Sequence, residues 1–265
     1  MKNLLKNHKI ADWSVISFQH LNTFDVRSKQ KIPQNCQCAI AMVFPYYNKS
    51  TSGGNISAYC AVNDYHIVVM EQLKSIISDL NKIYPDYTFV PFVDSSPIDE
   101  VDMAVKGGLG VKGVNSLLIT EKWGSFVFIG EILTDMPLET VLCEEKFCKK
   151  CGLCSVKCPG GAIKNGVIDK EKCASFISQK KQELTEEERA ILKKAKTVFG
   201  CDICQQVCPH NHQVLWSETN KDNTLFRDVF AEVTKENVAA VYKDRAFGFR
   251  GLKVLERNLE IYEEN

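Results

Sequence analysis

Two hydrophobic periods alternate along the first half of the chain. Ala39 to Tyr47 (AIAMVFPYY) is an unbroken apolar run rich in strand formers, as a strand buried on both faces requires, and it should end at Pro45, which cannot donate to a ladder. The Ser-Thr-Ser-Gly-Gly stretch inside 48–55 reads as a turn. From Ile56 to Ile83 the spacing changes: Ile67, Met70, Leu73, Ile76, Ile77, Leu80 and Ile83 fall on one helical face, closed by Tyr84-Pro85. Tyr87–Val93 (YTFVPFV) returns to a strand pattern. A helix then starts with Ser96 as N-cap, Pro97 in the first helical position and Asp99 at the capping-box position. Ser116–Thr120 and Phe126–Ile132 read as strands flanking the turn Glu121–Ser125, so they are expected to pair as a hairpin. Residues 1–35 are polar and weakly patterned, and no element is assigned to them.

The order helix, strand, helix, strand, strand predicts a mixed α/β (α+β) layer domain over residues 1–142, long enough to bury its own core. A smaller unit follows over 143–215, in which Thr185-x-x-Glu188 is a capping box opening a charged helix that runs to about Phe199. Residues 216–265 form a tail, helical from Thr234 and divided into a helix pair at Gly248 and Gly251.

Charge narrows the partners. Lys plus Arg and Asp plus Glu each number 33, so no global positive field announces a nucleic acid, and any such contact must be local. The first residues, MKNLLKNHKIADWSVISF, lack the continuous apolar core of a signal peptide. No run approaches the ~20 apolar residues of a membrane helix. A cytoplasmic, monomeric protein with no membrane partner is expected. The twelve cysteines are accordingly read as reduced thiolates and not as disulfides.

Those cysteines carry the clearest chemistry. Cys148, Cys151, Cys154 and Cys158 precede Pro159 with the spacing C-x2-C-x2-C-x3-C-P, and Cys201, Cys204 and Cys208 precede Pro209 with C-x2-C-x3-C-P. The first is the bacterial iron–sulfur ligand run and the second repeats its last three thiols; a four-thiolate zinc site is the metal alternative. In two-cluster ferredoxins the fourth cysteine of a run crosses to the other cluster. Cys148, Cys151 and Cys154 would then take Cys208, and Cys158 would join Cys201 and Cys204. That second set is one thiol short, and Cys173 is the nearest unassigned cysteine. Cys36, Cys38, Cys60 and Cys143 have no partner spacing and read as small buried hydrophobes. Gly108-Leu-Gly110-Val-Lys-Gly113 matches a dinucleotide fingerprint in letters only, because it follows a helix and precedes a strand. Asp94 ends a predicted strand just before a helix, where α/β domains place their chemistry, and a helix-capping carboxylate would occupy the same place. His66, inside the long helix, reads as a satisfied core residue.

Several stretches together resemble the signature of the epoxyqueuosine reductases: Gly54-Asn-Ile-Ser57-Ala-Tyr59 with Asp64-Tyr65-His66, Asp94-Ser-Ser-Pro97, Gly108-Leu-Gly110-x-x-Gly113-x-Asn115, and Trp123-Gly-Ser followed by Gly130-Glu131 and Thr134-Asp135-x-Pro137. Gly160-Gly-Ala-Ile163, Cys173-x-Ser175, Gly200-Cys-Asp-x-Cys-Gln205 and Phe249-Arg-Gly251 continue the match to about residue 260. Val114 and Ala58 stand where the family usually carries Lys and Arg, and the helical extension of longer members is shortened to about one helix pair.

The resemblance implies a cobalamin-binding first domain, a double [4Fe–4S] ferredoxin-like domain and a reaction that reduces epoxyqueuosine in tRNA. Electrons would pass from an external donor such as a flavodoxin or ferredoxin through two [4Fe–4S] clusters to cobalamin. It implies Asp94 as the acid that protonates the leaving oxygen, with a carboxyl raised by burial beside the corrin. Ser57, Asn115, Leu118, Ser175 and Asp202 would join Asp94 around the cofactor. A cobalamin-dependent reductase of a small molecule, dehalogenase-like, and a ferredoxin-type electron carrier are the competing readings. A local patch of Lys149, Lys150, Lys157, Lys180, Lys181, Lys193, Lys194 and Lys196 would be the tRNA surface, or simply a solvated face.

Overall fold

The computed structural model describes residues 1–49, 53–216, 225–226, 229–230 and 232–264, with the Trp216 side chain outside the description. The turn expected over 48–55 and the tail expected over 216–265 therefore fall partly outside the described residues, at 50–52 and at 217–224, 227–228, 231 and 265.

In chain order the first half holds α1 (Lys2–Asn7), β1 (Asp12–Ser17), β2 (Cys38–Pro45), α2 (Tyr65–Ile83), β3 (Phe89–Val93), α3 (Glu100–Lys106), β4 (Val111–Lys112), β5 (Leu118–Ile119) and β6 (Val127–Thr134). The main sheet runs β1-β2-β6-β3, with every neighbouring pair antiparallel. β2 and β6 are central and buried almost throughout. Successive side chains of a strand point to opposite faces, and the two faces bury different partners. Ile40, Met42, Phe44, Phe128 and Ile132 pack with Val69, Leu73, Ile76 and Leu80 of α2. Ala39, Ala41, Val43, Ile129 and Leu133 pack with Met103, Ala104 and Val105 of α3. A helix therefore covers each face, and each fully buried Leu or Ile contributes roughly 1.5–3 kcal/mol. Gly130 sets the spacing on the α2 side: a Cβ there would sit 2.8 Å from both Phe44 and Val69.

Three expectations are corrected. The long helix starts at Tyr65, not Ile56, because Asp64 caps it through the His66 N–H at 3.0 Å. The residues before it form turns, Cys60 N–H to Ser57 O and Ala61 N–H to Ala58 O, and Ser57 N–H bonds to Phe199 O. The next helix is capped by Asp99, which accepts from the Asp102 N–H at 3.0 Å. Ser96 instead turns inward and donates to Glu131 Oε2 at 2.8 Å. The expected hairpin is absent: β5 pairs with β4, and β6 lies between β2 and β3. An eight-residue strand whose side chains are buried on both faces belongs at the sheet centre, which a two-stranded hairpin cannot provide. β1, at the sheet edge, was not legible in the weak pattern of residues 1–35.

The second half holds α4 (Leu153–Lys157), β7 (Ile163–Lys164), β8 (Val167–Ile168), α5 (Ala174–Ile177), α6 (Glu186–Ala195), α7 (Ile203–Gln206), α8 (His212–Trp216), α9 (Val238–Val241) and α10 (Leu252–Glu263). Thr185 and Glu188 form the expected capping box, but α6 stops at Ala195, with Lys196 left-handed at φ 51°. The described tail is not peripheral. Val238, Phe247, Leu255 and Leu259 share a core with Ile56, Cys60, Ala61, Val198 and Phe199, and the Asn258 side chain donates to the carbonyls of Ser178 and Val198 at 2.7 and 2.8 Å. Among the described residues no helix is long and apolar enough to cross a membrane.

Candidate active site and cysteine sets

The short helices and turns of the second half bring the cysteines together as two groups. Cys208 lies within charge–charge range of Cys148, Cys151 and Cys154, and these four line one small cavity with Asn115 and His210. Cys201 lies in the same range of Cys158 and Cys173, and Cys204 of Cys201 and Cys173. Gly152, at φ 79°, starts α4 and turns the chain between Cys151 and Cys154. The Ala162 N–H points at Cys158 Sγ from 3.3 Å. Burial, followed by neighbouring charges that include other thiols, pushes Cys201 and Cys204 up to about 12. Such a crowded set becomes a set of thiolates only around a cationic centre. Among the described residues no three His, Cys, Asp or Glu side chains converge closely enough for a single metal ion.

The remaining cysteines stand apart. Cys38 and Cys60 are buried among apolar side chains. Cys36 and Cys143 are only half-buried, so for them the fully buried reading is corrected. Cys143 lies against Gly108, and its N–H bonds to Lys106 O. The glycine motif is a turn: Gly108, at φ 78°, ends α3, and Cβ atoms on Gly110 and Gly113 would collide with Ile119 O and Asn115 Oδ1.

A cavity of about 330 Å³ opens beside the second cysteine group, lined by Cys173, Cys201 and Cys204 on one side and by Asp94, Tyr65 and Glu100 on the other. Of the six residues expected around a cofactor, Ser57, Asp94, Asn115, Leu118 and Ser175 line it. Asp202 does not. It lines an adjoining cavity of about 600 Å³, where its carboxylate accepts from Ser57 Oγ and from the Ala58 N–H. Ser57 and Cys201 border both cavities.

Asp94 follows the last residue of β3 in a left-handed conformation, φ 60°. The Ser95 N–H bonds back to the Val93 carbonyl at 2.6 Å, closing a three-residue turn around it. Such backbone is uncommon outside glycine and recurs at functional sites. Asp94 Oδ2 lies 3.5 Å from His66 Nε2, while His66 Nδ1 meets Asp64 Oδ1 at 2.7 Å. The two carboxylates raise His66 to about 9. His66 in turn holds the Asp94 carboxyl below its ordinary value, against the opposing effect of burial. Without a corrin beside it, Asp94 is thus held low by its histidine partner, and the raised carboxyl expected beside the cofactor belongs to the loaded site. His66 was misread as a core residue. The signal was available in Asp64-Tyr65-His66, where a carboxylate precedes a histidine at a helix start.

A second cavity of about 600 Å³ touches Asp94 from the outer side, lined by Arg27, Ser28, Lys31, Ser95 and Ser96. The lysines expected to form a patch are partly neutralised, since Lys180 pairs with Glu171 and Glu188, and Lys193 with Glu264.

Comparison with known proteins agrees with this geometry. Residues 27–95 match the family described as epoxyqueuosine reductase QueG, DUF1730, and residues 147–211 match the 4Fe-4S double cluster binding domain. An epoxyqueuosine reductase of Cyclobacterium marinum is 33% identical over 253 residues, spanning 90% of this chain and 80% of that protein. The fold is similar to that of an epoxyqueuosine reductase solved with an epoxyqueuosine-modified tRNA-Tyr stem loop, with TM-score 0.77 at 21% identity over 98% of this chain and 80% of the other. A reductive dehalogenase described with B12-dependent dehalogenation is more distant, with TM-score 0.52 at 14% identity over 96% of this chain and 34% of the other. A two-faced α/β sheet, two cysteine groups and a cavity joining one of them to an Asp–His pair thus coincide with a likeness that runs through nearly the whole chain, and the chain belongs to the epoxyqueuosine reductase family.

Proposed function

We propose that this protein reduces the epoxide of epoxyqueuosine in tRNA to the alkene of queuosine. The observation that carries the reading is the cavity that joins Cys173, Cys201 and Cys204 to the Asp94–His66 pair, in a chain that resembles epoxyqueuosine reductases over 90% of its length. Its units are 1–142 for the reaction, 143–215 for the clusters and 216–265 as a helical tail. One [4Fe–4S] cluster is held by Cys148, Cys151, Cys154 and Cys208, and the other by Cys158, Cys173, Cys201 and Cys204. The grouping of the thiols supports this assignment.

Cobalamin fits the paired cavities. Leu117, Leu118, Val127 and Ile129 offer apolar walls, and Ser57, Asn115, Ser175 and Gln205 offer polar contacts. The adjoining cavity beside Asp202 leaves room for a bulky appended group, within the size range of cofactor sites. When bound, cobalamin supplies a metal centre that passes single electrons to the substrate.

The balanced reaction consumes two electrons and two protons: two C–O bonds break, a C=C bond forms and the oxygen leaves as water. The electrons enter from a one-electron donor such as a flavodoxin or ferredoxin. His66 holds a proton at Nε2, and Asp94 Oδ2 lies between it and the open cavity, positioned to pass that proton to the departing oxygen. Arg27 and Lys31 flank the outer approach to Asp94, where backbone phosphates of the tRNA would be held.

The test is turnover. Anaerobic protein reconstituted with iron, sulfide and cobalamin should convert epoxyqueuosine tRNA to a product lighter by one oxygen, read by mass spectrometry of the nucleoside. No conversion by fully loaded protein would overturn the proposal. The likeness to a reductive dehalogenase keeps a small-molecule reductase as the second reading; turnover of an organohalide in place of the tRNA would favour it.

A further inference from the structure

The reaction proposed above uses two protons, and the Asp94–His66 pair holds one. His66 is raised to about 9 and carries a proton at neutral pH, whereas Asp94 is held low and is ionised. The second proton comes either from solvent, which reaches Asp94 from its outer side, or from another group within the cavity.

Glu100 is such a group by position. It is the first residue of α3 and lines the cavity together with Asp94 and Tyr65. Its Oε2 is shielded from solvent and has no hydrogen-bond partner among the described residues. Beneath it Glu131, on the α3 face of β6, is fully buried, accepts from Ser96 Oγ through Oε2 and leaves Oε1 unpartnered. The charged groups acting on Glu100 are Asp94 and Asp99, with Glu131 behind it and the Tyr65 hydroxyl beside it, and all of these are acids. An unpaired buried carboxylate among acids is costly, so the neutral form is favoured. Burial first, and then Asp94 and Asp99, raise Glu100 to about 8. The side chain lines the cavity while its unpartnered Oε2 is turned away from solvent.

We infer that Glu100 is the second proton-carrying group of this site, a relay that returns a proton to the Asp94–His66 pair in each turnover. The inference rests on the proposed epoxide reduction. In the balanced step the Asp94–His66 pair delivers the first proton, Glu100 reloads the pair and the pair delivers the second as the oxygen leaves as water, the clusters supply the two electrons, and His66 and Glu100 each regain one proton from solvent when product departs.

Glu100→Gln separates relay from structure, because the amide copies the shape and neutrality of a protonated glutamate but cannot release its proton. Reconstituted wild type, E100Q and E100D are assayed with epoxyqueuosine tRNA across pH. Wild-type kcat should fall as pH rises through about 8. E100Q should lose about tenfold or more in kcat and lose that alkaline limb, with KM for tRNA and iron content unchanged, and E100D should recover part of the rate. An active wild type with E100Q matching it in rate and pH profile overturns the relay alone. A wild type that leaves the tRNA unchanged overturns the functional reading and the relay with it. Infrared titration of the wild type gives a readout independent of turnover. A protonated-carboxyl band that disappears near pH 8 and is missing from E100Q supports the relay, and its absence from the wild type at neutral pH refutes it.

Discussion

His66→Gln tests the electrostatic core of the site, because it removes a charge while keeping a hydrogen-bonding side chain at the same helix start. In the wild type the imidazolium stands between Asp64 and Asp94 and is raised to about 9 from its ordinary 6.5. At about 1.4 kcal/mol per pH unit, that rise sets a ceiling of about 3 kcal/mol. The ring is 36% exposed, and solvent screening brings the expected contribution to about 1–2 kcal/mol. The sign follows from linkage: a raised histidine stabilises the fold fully below its unfolded value, and that stability is lost as pH rises through about 9. On the acid side, the same interaction is lost as pH falls through the lowered value of Asp94. Anaerobic urea unfolding of cluster-loaded wild type and H66Q at about pH 6 and about pH 10 measures the difference. The wild type should be more stable by about 1–2 kcal/mol at the lower pH, with the gap nearly closed at the higher one. An equal gap at both values, or none at either, would refute the charge pairing that underlies the proposed proton store.

Three further outcomes are expected. Asp94→Asn should keep both clusters and bound cobalamin yet lose turnover by about 10²-fold or more, measured under saturating tRNA; undiminished kcat would leave Asp94 as a turn residue only. Cys173→Ala should lower iron by about four per chain, the content of one cubane, measured by metal analysis, and a full complement would pass the ligand role to another group. Arg27→Ala combined with Lys31→Ala should weaken tRNA binding and flatten the salt dependence of log Kd by about two, one for each phosphate that the pair no longer neutralises. An unchanged salt slope would move the tRNA surface elsewhere.

Much of the site was written in spacing. A cluster needs thiols a few residues apart on tight turns, so Cys148, Cys151, Cys154, Cys158, Cys201, Cys204 and Cys208 announce themselves in one dimension. The crossing of Cys158 and Cys208 is read from the same pattern, and the grouping of the thiols supports the proposed assignment. The buried strand at Ala39–Tyr47 and the α6 capping box were equally legible, because both depend on neighbours in sequence.

What the amino-acid order could not settle was decided at long range. Whether 126–132 pairs with its neighbour or inserts between β2 and β3 depends on which partner buries both of its faces, and only the assembled sheet supplies that partner. The Asp94 charge shows the same division. Position at the end of β3 made it a candidate, and His66, 28 positions earlier in the chain, holds its carboxyl low. Glu100 was not singled out in the sequence, and only the fold sets it in a cavity with Asp94 and near Glu131. Ligand spacing is a local property of the chain. Protonation depends on burial and on neighbouring charge, and both exist only once the chain has folded.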